Sequence, residues 1–553
     1  MKSLLITGLS LIFPLIANAQ FTINGKKAIY DQLANTYLVS IEESNFGQDY
    51  EADIAIDPDS LWNIYSIENT PINGKYIFTN IQSNKSYNIQ AIRNGQEIHS
   101  SISFTYLPII DMKGNFGYEY QKGSINIYTP DTQVSSLIKA KWRGGSTNAE
   151  DRHKRNYKLK TLSSEGKSED ISFLGMRSDN NWILDAGQID MFRLRNRIAT
   201  ELWNNMATKP YYADKEPKAK TGVAGKIAEV IINNEYKGIY SLTEAMDRKE
   251  MKLKKYDEKN QEFHGMLWKA SSWGNSLFWG VEEEYDNNKE TWNAFEVKYP
   301  DIEDVCPTDY RTLYDAINFV ATSDDESFKQ NASSYFDIPV LIDYYIFLEI
   351  LNAVDNTGKN MYWAVYDQAN DKKLTLAVWD LDTTVGGNYT TDPLHPDYVS
   401  PTNELSIKNF YIYNRLINLN VDNFNEKVEQ RYKELRQNLL SKEALQERYH
   451  QYYQTLSNSG AAAREEKRWS KDSDLSGNEL NFDQEIAYIN QWIDKRIDYL
   501  DSKDSPFTTS IKEVSKSKGK AHPEIYNMLG QKLNTIPSQT GIYIINGKKY
   551  IIK

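Results

Sequence analysis

Asp355, Asn360, Asp380 and Asp382 are the residues of this chain whose types and spacing could do chemistry. The stretch reads DNTGKNMYWAVYDQANDKKLTLAVWDLD. One carboxylate and one amide share a short loop, and two more carboxylates follow the second of two alternating runs. Hard divalent cations take oxygen ligands, so this set, at the ends of two paired strands, suits a cation and a phosphate-bearing ligand. The bland alternative is that Asp and Asn bond their own backbone in turns, and that two Asp flanking Leu381 end a strand. Residues two apart on a strand face the same way, so the pattern does not choose between Asp380 and Asp382. No other stretch offers a comparable cluster.

The elements that must position these residues are legible around them. A helix is expected up to Asp355, with Asp337 as its cap and Pro339 in its first turn. Val340, Leu341, Tyr344, Tyr345, Leu348 and Leu351 make one face, and Ile342, Ile346, Phe347 and Ile350 cover much of the other. A helix apolar nearly all round is a buried one, a rigid support for the loop. The runs MYWAVY and KLTLAVW read as a strand pair.

Upstream, KAKW leads into Arg143-Gly144-Gly145-Ser146-Thr147 and then the strand NYKLKTL with Lys158 and Lys160. Glycines beside hydroxyls can cradle phosphates through backbone N–H groups, although a Gly-Gly pair is more often a turn and alternate lysines a solvated strand face. A helix is expected over residues 188–206. KIAEVIINNEYKGIYSLTEAMD reads as a hairpin turning at Asn233-Asn234 and ending at Glu244. GMLWKA and NAFEVKYP read as strands, followed by helices over 308–321, through 409–456 and over 483–500.

Residues 21–104 alternate in short runs with turn dipeptides Asn73-Gly74 and Asn94-Gly95, a β-sandwich-like module over 20–105. The large domain then runs over 106–504, a Lys/Ser-rich linker over 505–522, and a short β tail over 523–553 with a turn at Asn546-Gly547, a candidate sorting signal. The expected class is α+β. Residues 1–19 (a lysine, an apolar run, then Ala17-Asn18-Ala19) read as a signal peptide, too short to span a membrane. Export to the periplasm, the cell surface or the medium follows. The 553 residues exceed one core. A formal charge of −12 argues against nucleic acid as partner. One cysteine, Cys306, and six scattered histidines leave no zinc site or disulfide framework.

Together, TYLPIIDMKGNFG, KWRGGST with NYKLK, DNNWILDAGQIDMFRLRN, EVIINNEYKGIYSLTEAMDRK, the strands between Asn360 and Asp382, and the closing WIDKRIDYLD resemble, in order, the spore-coat protein H (CotH) kinase family. The resemblance implies an atypical, two-lobed protein-kinase-like fold that uses ATP with Mg²⁺ or Mn²⁺ to phosphorylate Ser or Thr of a protein acceptor. It implies that Asp355 orients the attacking hydroxyl, that Asn360 and Asp380 or Asp382 hold metal, and that Arg143, Gly144, Gly145, Ser146 and Thr147 cover the phosphates. Lys158 or Lys160 would neutralise them, and Arg195, Asn196 and Glu244 would be ion-pair or nucleotide-pocket members. Export to where ATP is scarce raises two competing readings: a catalytically silent surface protein acting as adhesin or structural binder, and a metal-dependent hydrolase built on Asp355, Asp380 and Asp382.

Overall fold

The computed structural model describes residues 20–57, 62–281, 284–387, 400–502 and 505–507, together with four short strands beyond 524. The expected signal peptide, most of the linker and the Asn546-Gly547 turn lie outside the described residues. The chain divides into two units, Met1–Thr508 and Thr509–Lys553. The second contains a four-stranded antiparallel sheet made of Ile525–Asn527, Lys532–Leu533, Gly541–Ile545 and Lys548–Ile552.

The first unit opens with a four-stranded and a six-stranded sheet that share one apolar cluster, including Phe21, Tyr37, Phe78 and Phe104. Period-two alternation puts these rings inside, as in Tyr50–Ile56, where buried and exposed residues alternate. Asn94 and Gly95 both take positive φ in the hairpin between Ser86–Arg93 and Gln96–Thr105.

A closed seven-stranded barrel follows: β1 (Ile109–Gly114), β2 (Gln121–Tyr128), β3 (Gln133–Arg143), β4 (Asn156–Leu162), β5 (Asn181–Asp185), β6 (Gly225–Ile232) and β7 (Glu235–Glu244), in the order β1-β2-β3-β4-β5-β7-β6. The parallel pairing of β1 with β6 closes the ring. Inward residues such as Ile138, Ala140, Leu159 and Trp182 fill it, which leaves the alternate residues of β3 and β4 facing out.

A helix α1 (Arg195–Met206) crosses from β5 to β6. It starts later than the periodicity of 188–206 predicts. Asp190 accepts the N–H groups of Phe192 and Arg195, at 2.8 and 2.7 Å, and Arg193 sits at φ +65°, so the first residues form a turn.

The remainder is a five-stranded sheet against helices. β8 (Met266–Ala270), β9 (Thr291–Trp292), β10 (Phe295–Tyr299), β11 (Met361–Val365) and β12 (Leu374–Val378) run in the order β9-β10-β8-β11-β12. The helices are α2 (Arg311–Thr322), α3 (Asp325–Tyr335), α4 (Ile338–Leu351), α5 (Tyr411–Asn418), α6 (Phe424–Arg436), α7 (Lys442–Asn458), α8 (Ala461–Trp469) and α9 (Phe482–Leu500). The helical stretch expected over 409–456 is three helices, because Asn420, Asp422 and Asn423 adopt left-handed backbone between the first two. Every residue of α4 but Pro339 is buried, as its all-round apolar pattern predicts. Asp337 stands at its cap position, with its carboxylate accepting the Tyr211 N–H at 2.8 Å.

Helix α8 clamps the barrel through Glu465, buried with Lys154 and Arg193 each 2.7 Å from one oxygen and the Ile239 N–H 2.7 Å from the other. Gly238, at φ +97°, permits this: a Cβ there would lie 1.9 Å from Glu465.

Candidate active site

The loop after α4 is set by two backbone anchors. Asn352 ends the helix in the left-handed region, as Asn tolerates. The buried Tyr344 hydroxyl donates to the Asn356 carbonyl at 2.8 Å. The Asn356 side chain then donates to the carbonyls of Asn360, Trp379 and Asp380, at 3.1, 2.9 and 3.3 Å. One amide therefore ties the start of β11 to the segment after β12. Within the loop, Asp355 Oδ2 accepts from Asn360 Nδ2 at 2.7 Å, and Oδ1 lies 2.8 Å from Lys359 Nζ. Asn360 thus uses its nitrogen on Asp355 and keeps Oδ1 to offer elsewhere. Burial raises the Asp355 carboxyl above its usual range; Lys359 pulls it down and Asp380 pushes it up.

β12 ends at Val378, and Asp380 takes a left-handed conformation at φ +58°. The strand rule that put Asp380 and Asp382 on one face therefore does not apply, because neither lies on a strand. Their carboxylates are still near enough to interact. The Asp382 carboxyl is held well above the normal range, first by burial and then by Asp380, Asp185, Asp190 and Asp355. Among the described residues, neither the Asp380 nor the Asp382 side chain meets a hydrogen-bond donor or a cation at bonding distance.

Asp185, at the end of β5, was not singled out from the sequence. It is joined to this group by Asn196, whose Nδ2 donates to Asp185 at 2.6 Å while its Oδ1 accepts the Leu381 N–H at 3.0 Å. Burial raises the Asp185 carboxyl, with the Gly187 N–H and Asn196 opposing. The motif ILDAGQIDMFRLRN held this signal, but only the fold puts its Asp beside residues far along the chain. Arg195 faces a different set: it pairs with Asp190 and Glu485, at 2.6 and 2.5 Å.

Cations lie close to this acidic group. Lys158 on β4 has no carboxylate at ion-pairing distance among the described residues, and its ammonium is lowered to about 8 by burial and by Lys160, Lys298, Lys141 and Arg143. Arg143 lies 5.3 Å from the Trp379 ring, next to Asp380. Lys269 on β8 also belongs here. Burial lowers its ammonium, and Asp380 acts in the other direction.

In the Gly-rich loop, Gly144 sits at φ +115°, where a Cβ would meet Thr147 Oγ1 at 2.0 Å. Asn156 donates to that oxygen at 3.3 Å and accepts the Ala186 N–H at 2.6 Å, so the loop is folded back onto the barrel. The residue at 145 has open space around it, and the backbone from Ser146 continues as a short 3₁₀ turn. Glu244 is buried, with its oxygens accepting the Arg177 and Ala224 N–H groups at 3.0 and 3.2 Å. That is a backbone-holding position on β7, and among the described residues no ion pair forms there.

One rival cluster corrects the expectation that no other exists. His153, Asp472 and Asp474 bring ligand-type atoms within 4.8 Å of one another across more than three hundred residues of chain. Asp474 accepts the His153 and Lys154 N–H groups, and Asp472 lies 3.0 Å from the imidazole, so the cluster is internally bonded.

Among the described residues, no helix is long and apolar enough to cross a membrane. No curated protein matches the chain. The family model described as CotH kinase protein matches residues 140–500, a span holding Asp355, Asn360, Asp380, Asp382, Arg143 and Lys158. The chain belongs to the CotH kinase protein family.

Proposed function

We propose that this chain is a metal-dependent protein kinase that transfers the γ-phosphoryl group of ATP to a Ser or Thr hydroxyl of a protein acceptor, after export directed by residues 1–19. The observation that carries the reading is a charge separation left uncompensated at short range. Among the described residues, Asp380 and Asp382 have no cation, and Lys158 no carboxylate, at ion-pairing distance. A carboxyl, Asp382, that burial and its acidic neighbours hold well above the normal range fits a divalent cation, and a half-buried ammonium with no carboxylate at ion-pairing distance among the described residues fits a phosphate.

Asn360, Asp380 and Asp382 are the residues that would hold Mg²⁺ or Mn²⁺. When bound, the cation supplies charge neutralisation to the transferring phosphoryl group. Arg143 and Lys158 receive phosphate oxygens, with Lys160 next along β4 and the folded-back Gly144–Thr147 loop above them. Asp355 orients the acceptor hydroxyl and takes its proton through a carboxylate oxygen. Lys359 and Asn360 hold that carboxylate in place. Asn196 fixes the Leu381 backbone and hence the pair of aspartates around it. In this reading the barrel is one lobe and the five-stranded sheet with its helices the other.

The test is transfer of labelled phosphate from ATP with Mg²⁺ or Mn²⁺ to a protein acceptor, comparing wild type with Asp355→Ala. Loss of label in the variant, with ATP still bound by calorimetry, is expected. Absence of ATP binding by the wild-type chain would return the protein to the surface-binder reading. Phosphate release that needs no acceptor would favour the hydrolase.

A further inference from the structure

The outer face of β3 and β4 carries more positive charge than the proposed nucleotide site needs. Lys139 lies directly across from Lys160 and Lys141 across from Lys158, with Arg143 closing the row opposite Asn156. Like charges placed opposite one another on a ladder destabilise a sheet. Among the described residues, none of these five side chains has a carboxylate at ion-pairing distance, in a protein of net charge −12.

Tyr120 marks the outer part of the row. The ammonium groups of Lys139, Lys141 and Lys160 lie 5.3, 4.9 and 5.5 Å from its ring centre. Its hydroxyl oxygen is buried without a hydrogen-bond partner. Asp301 and Glu303 are near enough to help burial push that hydroxyl up to about 12, yet neither pairs with a ladder lysine. The row therefore has two attributes of a built anion site: cations aligned on one face, and no carboxylate among the described residues paired with any of them.

The length and composition of the row narrow the ligand. From Arg143 to Lys139 the strand advances roughly 13 Å at about 3.3 Å per residue, more than a triphosphate chain covers. Four of the five cations are Lys, which meets phosphate oxygens as a point charge and does not require the planar, bidentate partner that an Arg fork selects. We propose that this face is a binding site for a linear phosphate chain longer than that of a nucleoside triphosphate, with inorganic polyphosphate as its ligand. The inner end, at Arg143 and Lys158, rests on the kinase reading; the outer end, at Lys139, Lys160 and Tyr120, does not.

The test measures binding of long-chain inorganic polyphosphate, of ATP with Mg²⁺ and of poly-glutamate to the full chain by calorimetry, for wild type, Lys139→Gln and Lys167→Gln. Lys167 is an exposed residue paired with Glu165 away from the row, so its variant controls for net charge. Polyphosphate is expected to bind wild type, to bind Lys139→Gln about tenfold more weakly through loss of one charge-assisted contact, and to bind Lys167→Gln as wild type. ATP affinity should be equal in all three. Ligand-free Lys139→Gln should melt at or above wild type, since it loses one of two opposed like charges. No binding of polyphosphate, equal weakening by both variants, a lower melting temperature for Lys139→Gln, or tighter binding of poly-glutamate would each overturn the proposal. Polyphosphate binding that depends on Lys139, without any ATP binding, would sustain this site and remove the kinase reading instead.

Discussion

Asn196→Ala separates the architecture of the acidic group from its charge. Asn196 carries none of that charge, yet it holds both Asp185, at 2.6 Å, and the Leu381 N–H between the two aspartates, at 3.0 Å. Truncation leaves the Leu381 N–H, in a fully buried residue, without its acceptor, at a cost of about 1–3 kcal/mol. It also removes a donor from a carboxylate that burial already disfavours, leaving Asp185 with the Gly187 N–H at 3.1 Å. The two losses share one side chain, so the expected destabilisation is about 2–4 kcal/mol. Residues that orient ligating groups typically change metal affinity by about 10–100-fold, and the same is expected here because Leu381 stands between Asp380 and Asp382. The assay is Mn²⁺ titration of the folded variant by calorimetry, with urea unfolding measured alongside. Asn196→Ala binding Mn²⁺ as tightly as wild type while losing stability would refute the link between this amide and the metal group.

Other perturbations test the frame around the site. Glu349, in α4, is buried against Arg496 of α9 at 2.9 Å, and Arg496 also donates to the carbonyls of Pro401 and Asn403. Arg496→Met should destabilise by about 3–5 kcal/mol, because it strands a buried carboxylate; urea unfolding reads this, and a neutral result would contradict the burial. Burial raises the Glu349 carboxyl from 4.5 to about 7, against the pull of Arg496. The folded state then holds a proton that the unfolded chain has released, so this group's contribution to stability is greatest below 4.5 and declines as pH rises through about 7. Glu349→Gln should flatten that decline, on the order of 1–3 kcal/mol across the window, and an unchanged slope would mean that the group titrates normally. Gly238→Ala should cost more than about 3 kcal/mol, since a Cβ must displace Glu465 from its buried ion pairs; a thermal melt close to wild type would show that α8 can shift without cost.

What the sequence determined by itself was local. Alternation marked the strands of the amino-terminal sheets, Asn233-Asn234 marked the hairpin of β6 and β7, and an all-round apolar pattern marked α4 as buried. In each case the periodicity of the chain is the periodicity of the packing. The same local reading put Asp355 beside Asn360, which the loop confirms at 2.7 Å. Tertiary structure decided everything that depends on who meets whom. It closed the barrel through a parallel β1–β6 pair, set Lys139 across from Lys160, and brought Asp185 through Asn196 to the loop of Asp380 and Asp382. It also replaced the strand geometry assumed for those two aspartates with a left-handed turn, and made a bonded cluster of His153, Asp472 and Asp474. Register and ring closure are properties of distant partners, and a side chain's charge environment is summed over all of them, so no window of sequence contains either.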